Sequence, residues 1–203
     1  MSAMGRAISF YPAVILSLLA ATGFWFAFRP TPIQPVILVL IVYLLPPLTL
    51  RLHEIFFPLG EGLSKLSEPK YSHWWGAHQI QLIYIALPQL EALLRLVPGL
   101  YSAWLRLWGS RIGRKVYWTP NVEITDRSLL EIGDGVVFGH HCKLLGHAIK
   151  PRGGAVLLYL RRIHIGRDVF IGAGSRIGPG AVINDGSYLP VLTDVYVNQE
   201  IEP

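Results

Sequence analysis

Residues 165–188 read IGRDVF-IGAGSR-IGPGAV-INDGSY, four consecutive hexapeptides that each begin with isoleucine. The same six-residue spacing of aliphatic or aromatic residues recurs upstream in two runs, separated by a shift of two residues: Ile112, Trp118 and Ile124, then Ile132, Phe138 and Leu144. A period of six is neither the period of an amphipathic helix nor the alternation of a flat strand. It predicts a parallel β-helix, in which each hexapeptide supplies one short strand and one turn of a triangular coil.

The other positions of the hexapeptides also suit such a coil. Glycine often follows the large residue, and a smaller residue four positions on, such as Cys142 or Ala181, fits where the coil closes. We expect the glycines to serve turns that need a positive φ or a close approach of two backbones. The segment that reads Leu189-Pro190-Val191-Leu192 departs from the pattern and predicts an irregular last coil.

The N-terminal part of the chain has the composition of a membrane segment. Hydrophobic residues make up 52% of the chain and charged residues 15%, against about 25% charge in ordinary soluble domains. Residues 8–28 and 33–50 are apolar runs, each near the roughly 20 residues that cross a bilayer as a helix. They predict a transmembrane helical hairpin. A cleaved signal peptide is the alternative, but the first run is long for one and ends in Phe and Trp.

The basic residues around the two apolar runs predict their orientation. Arg6 precedes the runs, Arg51, Lys65 and Lys70 follow them, and Arg29 alone lies in the turn. Because cytoplasmic flanks carry the excess of basic residues, both ends of the hairpin are expected in the cytoplasm. This pattern predicts a multi-pass protein of the inner membrane with its β-helix in the cytoplasm.

The segment between the apolar runs and the hexapeptides predicts short helices on the membrane surface. Residues 80–108 carry apolar residues at helical spacing, and Pro88 and Pro98 are expected to break them into pieces. Such pieces suit interfacial helices with Trp and Arg at the headgroup level. A third transmembrane span is the alternative. The predicted organisation is therefore a hairpin in residues 1–52, a membrane-proximal region in 53–110 and the β-helix in 111–203.

Charge and cysteine content exclude some classes of site. The net charge is +5, but the sequence has no Lys- or Arg-rich run and no RNA-binding signature, so nucleic acid is not expected as a partner. Cys142 is the only cysteine, which excludes an intramolecular disulfide and a cysteine-based zinc site within one chain.

The hexapeptides resemble those of the left-handed parallel β-helix acyltransferases, also called hexapeptide-repeat acyltransferases. The passages LRLWGSRIGRKVYW (105–118) and DRSLLEIGDGVVFG (126–139) are similar to a subgroup with membrane-anchored sugar O-acetyltransferases. They also resemble the membrane-associated region of some peptide-polymer synthetases, so acceptors other than sugars remain open. The resemblance implies a homotrimer with acetyl-CoA as acyl donor. The predicted membrane anchor implies contact with membrane lipid, and it favours an acceptor hydroxyl or amine on a lipid-linked glycan, a polymer precursor or another membrane-associated molecule.

The six-residue rhythm fails at residues 145–162, LGHAIKPRGGAVLLYLRR, which are expected to leave the coil. His147 stands at the root of this insert, and the resemblance implies that a histidine there is the general base. Neutral imidazole can take the proton of an acceptor hydroxyl or amine while that acceptor attacks a thioester. His140 and His141 are candidates for acceptor contact. Asp126, one coil upstream, is a candidate to orient a histidine.

For the acyl donor, the resemblance implies that the pantetheine arm runs along an IGAG-like turn. The matching residues are Gly172, Ala173, Gly174, Ser175 and Arg176. The arginines at 161, 162, 167 and 176 could meet the nucleotide phosphates. The sequence has no strand–helix phosphate loop.

Two other functions remain open from the sequence. A non-catalytic trimeric membrane scaffold, or a partner of a larger synthase, would explain the short β-helix and its irregular end. A carbonic anhydrase would need a three-histidine zinc site, which His140, His141 and His147 could nominally supply. The spacing of these histidines resembles that family poorly, and no metal is expected.

Overall fold

The computed structural model describes residues 2–203, which divide into two compact units. The helical unit contains residues 2–59 and 69–83, and the coil unit contains residues 60–68 and 84–203. The hexapeptides therefore share a unit with residues 84–110, which the sequence placed in a separate membrane-proximal region.

The helical unit consists of α1 (Ala3–Ile8), α2 (Tyr11–Phe28), α3 (Ile33–Tyr43), α4 (Leu45–Phe56) and most of α5 (His73–Ala86). Helices α2 and α3 contact each other, and the turn between them is held by Gln34. Its side chain accepts the Thr31 backbone N–H at 2.8 Å and donates to the Arg29 carbonyl at 2.8 Å. These bonds satisfy backbone groups that the ends of two helices leave without a helical partner.

Within residues 2–203, one helical run, residues 3–28, is long and apolar enough to cross a membrane. Helices α3 and α4 form a second candidate only if they act as one span, because they are bent by 40° at their junction. Helix α2 exposes most of its apolar side chains, Phe24 and Phe28 among them, and buries only Ile15 and Thr22.

In the coil unit, short parallel strands stack into three sheets, which confirms the parallel β-helix. The first sheet contains β2 (Arg111–Ile112), β5 (Leu130–Ile132), β10 (Ile163–Ile165), β13 (Val182–Ile183) and β16 (Glu200–Ile201). The second contains β3 (Tyr117–Trp118), β6 (Val137–Phe138), β11 (Phe170–Ile171) and β14 (Tyr188–Leu189). The third contains β4 (Glu123–Ile124), β7 (Lys143–Leu144), β12 (Arg176–Ile177) and β15 (Asp194–Val195).

The large residues of the hexapeptides form three columns inside the coil. The registers align Trp118 with Phe138, Ile171 and Leu189 in the second sheet, and equivalent columns run through the first and third sheets. Trp118 and Phe138 stack with ring centroids 4.5 Å apart. Burial of such side chains stabilises the fold by roughly 1.5–3 kcal/mol each.

The last coil is regular, contrary to the sequence prediction. Val195 and Ile201 continue the third and first columns with the six-residue spacing intact. The corner residue of this hexapeptide, Leu192, adopts φ +60°, as His141 and Asp168 do at the equivalent corners of other hexapeptides. The residues that depart from the pattern therefore lie at a turn whose backbone has the same conformation as the other turns of the coil.

The glycines that directly follow core residues have a packing role. A Cβ on Gly133 would lie 2.6 Å from the Gly166 carbonyl oxygen, and one on Gly172 would lie 2.4 Å from the Pro190 carbonyl carbon. Neither glycine has a positive φ. Stacked coils approach each other so closely at these positions that a side chain has no room.

Two helices close the N-terminal end of the coil. Helices α6 (Gln89–Arg95) and α7 (Leu100–Leu107) are separated near Pro98, and α6 begins just after Pro88, so the predicted breaks are confirmed. Tyr101, Trp104 and Trp108 are buried, and Trp118 donates to the Ser102 hydroxyl at 2.8 Å. The sequence placed these aromatic residues at the membrane surface. They instead cover the first coil, whose core would otherwise face solvent.

We expect Gly172→Ala to destabilise the coil unit by roughly 1–3 kcal/mol, because the methyl group overlaps the backbone of the next coil. Gly60→Ala is the matched control, since a Cβ there meets nothing within 4 Å. Thermal unfolding of the detergent-purified protein, followed by Trp fluorescence, measures the difference. Equal midpoints for the two variants would contradict the close stacking.

Candidate active site

The insert that interrupts the hexapeptides folds as a β-hairpin. It contains β8 (His147–Arg152) and β9 (Ala155–Leu160), which pair antiparallel around the turn Gly153-Gly154. Both turn glycines have a positive φ, as tight hairpin turns require. Strand β9 also pairs with β1 (Gly62–Lys65), so a three-stranded sheet projects from the coil. Nothing in the hexapeptide pattern indicated this pairing.

Both interruptions of the repeat occur at the same corner of the coil. Residues 125–129 follow β4 and accommodate the shift of two residues, whereas the hairpin follows β7. Because β4 and β7 are neighbours in register, Ile124 opposite Leu144, the two departures lie one above the other. This stacking brings Asp126 to His147, although the two residues are far apart in sequence.

Asp126 and His147 form the central contact of this corner. The His147 Nδ1 atom lies 2.6 Å from Asp126 Oδ2. The Asp126 carboxylate is buried, and the His147 side chain is 15% exposed. If Nδ1–H donates to the carboxylate, Nε2 carries the lone pair of the neutral imidazole. The carboxylate also stabilises the imidazolium that forms when Nε2 takes a proton.

Thr125 and Gly146 hold this pair in place. The Thr125 hydroxyl donates to Asp126 Oδ2 at 2.7 Å and accepts the Gly146 backbone N–H at 3.3 Å. A Cβ on Gly146 would lie 2.8 Å from the Asp126 Cβ, so only glycine lets these two segments approach so closely. The residue before His147 thus has the same close-packing role as the glycines of the coil.

The two other candidate histidines lie at an exposed corner between β6 and β7. The rings of His140 and His141 are 4.1 Å apart and nearly perpendicular. Within residues 2–203, no three His, Cys, Asp or Glu side chains gather as a metal site would require. His140, His141 and His147 therefore form no zinc site within the chain.

His141 and Thr125 line one cavity of about 470 Å³ in the coil unit. Its walls are largely apolar and include Tyr84, Pro88 and Ile124. Thr125 connects the cavity to the pair of Asp126 and His147 through its bond to the carboxylate. Asp126 alone therefore lies between Thr125, which lines the cavity, and His147, the candidate base.

A buried ion network forms the base of this cavity. Glu91 Oε2 accepts from Arg95 Nη2 at 3.0 Å, and Glu91 Oε1 accepts from Arg127 Nε at 2.5 Å. The Tyr101 hydroxyl donates to Glu91 at 3.1 Å, and burial raises the pKa of this phenol. The Arg127 guanidinium lies over the Tyr84 ring, 5.2 Å from its centroid.

The sequence analysis missed this network. It placed Arg95 at the headgroup level, because sparse charges on an apolar helix have the same pattern at a membrane as over a protein core. The signal that could have indicated the network is Arg127, the arginine in the irregular turn of residues 125–129.

The residues predicted to bind the donor divide into two groups. Gly172 and Ser175 are buried, and Ser175 Oγ donates to the Gly172 carbonyl at 2.7 Å, so both serve the coil itself. Ala173 and Gly174 are partly exposed. Arg176 is exposed and pairs with Asp194, with Nε 2.6 Å from Oδ1.

No protein-family model and no curated protein matches the chain. Among solved structures, a hexapeptide-repeat acetyltransferase of Vibrio cholerae, complexed with acetyl-coenzyme A, is 18% identical. The match covers 60% of this chain and 82% of that chain at a TM-score of 0.43. A galactoside acetyltransferase in complex with coenzyme A is 17% identical over 57% of this chain and 74% of that chain, with a TM-score of 0.41.

A serine acetyltransferase of Entamoeba histolytica, in complex with cysteine, is 14% identical. That match covers 95% of this chain and 71% of that chain at a TM-score of 0.19. Likenesses at this level of identity and TM-score are too low to transfer an activity. The functional assignment therefore rests on the geometry of the chain itself.

We expect Glu91→Gln to destabilise the coil unit by roughly 3–5 kcal/mol, because it removes the counter-charge of two buried arginines. Glu123→Gln makes the same chemical change in an exposed pair with Lys143, and should cost about 0–1 kcal/mol. Urea unfolding of both detergent-purified variants compares the two costs. A small loss in Glu91→Gln would show that the network does not support the fold.

Proposed function

We propose that the chain is a membrane-associated acyltransferase that moves an acyl group, acetyl in the simplest case, from coenzyme A to a hydroxyl or amine. The acceptor is a glycan, a polymer precursor or another molecule held at the membrane. The observation that carries the proposal is the 2.6 Å contact between His147 and Asp126, at the corner where both interruptions of the coil meet.

In this mechanism His147 is the general base. Its Nε2 takes the proton of the acceptor as the acceptor oxygen or nitrogen bonds to the thioester carbonyl carbon. The tetrahedral intermediate then collapses, the carbon–sulfur bond breaks, and the imidazolium returns its proton to the leaving thiolate. Such proton transfer contributes a factor of roughly 10²–10⁴ to the rate. Asp126 keeps the ring in the required tautomer and lowers the energy of the charged ring.

For the donor, we propose that coenzyme A lies along the outside of the coil at Ala173, Gly174 and Arg176. These are the residues of the IGAG-like turn that a ligand can reach. Gly172 and Ser175 are buried and bonded to each other, so they stabilise the coil instead. We propose exposed Arg161 as a further contact for the coenzyme A phosphates. Its guanidinium also contacts the Tyr159 hydroxyl and the Asn198 side chain.

For the acceptor, we propose the cavity beside Thr125. Its largely apolar walls suit an amphipathic molecule better than a freely soluble sugar. His141 is placed to contact a polar group at its rim, and His140 lies against His141.

We further propose a homotrimer of left-handed coils. The outward residues of the third sheet form cross-strand ion pairs, such as Glu123 with Lys143 at 2.9 Å. The second sheet instead presents Tyr117, Val137, Phe170 and Tyr188 in register. An exposed apolar ladder on one of three faces suits packing against other subunits.

We place the chain in the inner membrane, as a multi-pass protein with the coil unit in the cytoplasm. The apolar run 3–28 and the bent pair of α3 and α4 supply the two spans. Arg6 lies near the start of the first run and Arg51 in the second half of α4, both toward the proposed cytoplasmic side.

The test is transfer of radiolabelled acetyl groups from acetyl-CoA to a membrane extract that supplies the acceptor. We expect His147→Ala to lower the rate about 10²-fold or more, and Asp126→Asn to lower it by a smaller factor, because each removes part of the proton transfer. Binding of acetyl-CoA should remain in both variants.

His164→Ala is the matched control, because His164 is an exposed histidine of the first sheet that faces Glu131 on the neighbouring strand. It should keep the wild-type rate. If His147→Ala transfers acetyl groups as fast as His164→Ala, His147 is not the base. Absence of transfer in every variant, the wild type included, would favour a non-catalytic scaffold.

A further inference from the structure

A second cavity of the coil unit, of about 490 Å³, lies between the loop that joins α6 to α7 and the first corner of the coil. It is distinct from the cavity beside Thr125. The turn between β2 and β3, the loop between α6 and α7, and helix α7 supply most of its walls. Its lining residues include four basic side chains and no acidic one: Arg95, Arg106, Arg114 and Lys115.

These four basic residues are not equivalent. Arg106 donates to the carbonyls of Ile112 and Gly113 at 2.9 and 2.8 Å, and thus ties α7 to the first coil. Arg114 and Lys115 are exposed and form no ion pair within residues 2–203. Asp134 lies at the edge, where its Oδ1 accepts the Arg114 backbone N–H at 2.6 Å. The cavity therefore carries excess positive charge.

A buried donor without a partner lies in the wall of this cavity. The Arg95 side chain is 3% exposed, and its Nη2 contacts Glu91, Tyr101 and the Val122 carbonyl. Its Nε–H has no hydrogen-bond partner among the described residues. An unsatisfied buried donor costs free energy, and more when the group is charged. An anionic group in the cavity would balance the charge of Arg95 and of the other basic side chains.

The rim of the cavity is apolar and exposed. Leu96, Val97 and Leu100 are 76%, 53% and 42% exposed, and Val97 itself lines the cavity. Free phosphate or a soluble nucleotide would gain nothing from these side chains. A lipid would place its phosphate in the basic cavity and its acyl chains against the rim.

We propose that this cavity binds the phosphate of an anionic phospholipid. Arg114 and Lys115 attract the headgroup, the positive charge of Arg95 lies in the wall behind it, and the rim contacts the lipid chains. The site gives the coil unit its own attachment to the membrane, separate from the apolar helices. The proposal does not depend on acyl transfer and holds equally for a scaffold.

The test is binding of soluble dihexanoyl-phosphatidylglycerol to the full chain in detergent, measured by calorimetry. Dihexanoyl-phosphatidylcholine has the same chains but a zwitterionic headgroup. Its affinity should be lower by a factor of about ten or more, because the site requires a ligand with net negative charge. Inorganic phosphate at the same concentration should not displace the anionic lipid.

The test variant is Arg114→Gln with Lys115→Asn, in which Asn suits the positive φ of +55° at position 115. We expect it to weaken phosphatidylglycerol binding about tenfold or more. Lys150→Gln with Arg152→Gln removes two charges from the exposed hairpin and should change binding less than twofold.

Three results would overturn the proposal. Equal affinity for the two lipids would exclude recognition of charge, and equal binding by both double variants would place the lipid elsewhere. Displacement by inorganic phosphate would show that the cavity accepts a free anion instead of a lipid.

Discussion

The close stacking of one coil on the next is the constraint on which the rest of the structure depends. Core residues align in three columns, and backbones approach so closely that Gly133 and Gly172 have no room for a Cβ. Such a stack tolerates departures only at its corners, where a segment can leave without breaking the registers. Both departures occur at the corner after β4 and β7, and this is why Asp126 meets His147. The proposed active site thus follows from where the repeat fails.

The same constraint explains the helices before the coil. A β-helix exposes its core at each end, and α6 and α7 cover the first coil with Tyr101, Trp104 and Trp108. They also contribute Glu91, Arg95 and Tyr101 to the buried network, in which Glu91 neutralises Arg127 from the irregular turn of residues 125–129. A buried pair of this kind adds little net stability but penalises any arrangement that separates its members. It therefore fixes the turn that carries Asp126.

The sequence predicted what the repeat itself encodes. The columns through Trp118 and Phe138, the break after Leu144 and the breaks at Pro88 and Pro98 all depend on local spacing, and all are present. The pairing of β1 with β9 was not predictable, because it joins distant segments without a shared pattern. The contacts of the buried face of α7 were missed, because an apolar helix face looks the same against a coil as against lipid. The regular last coil was missed because Leu192 occupies a corner usually given to Gly or Asn.

The most direct test of the central claim is calorimetric titration of the detergent-purified chain with acetyl-CoA, because it requires no knowledge of the acceptor. We predict saturable binding of one molecule per chain, competed by coenzyme A and weakened when Arg176, beside the IGAG-like turn, is replaced by Gln. No heat of binding at acetyl-CoA concentrations far above the usual range of donor affinities would contradict an acetyl-CoA-dependent enzyme. The Asp126–His147 pair would then have to serve another acyl carrier or none.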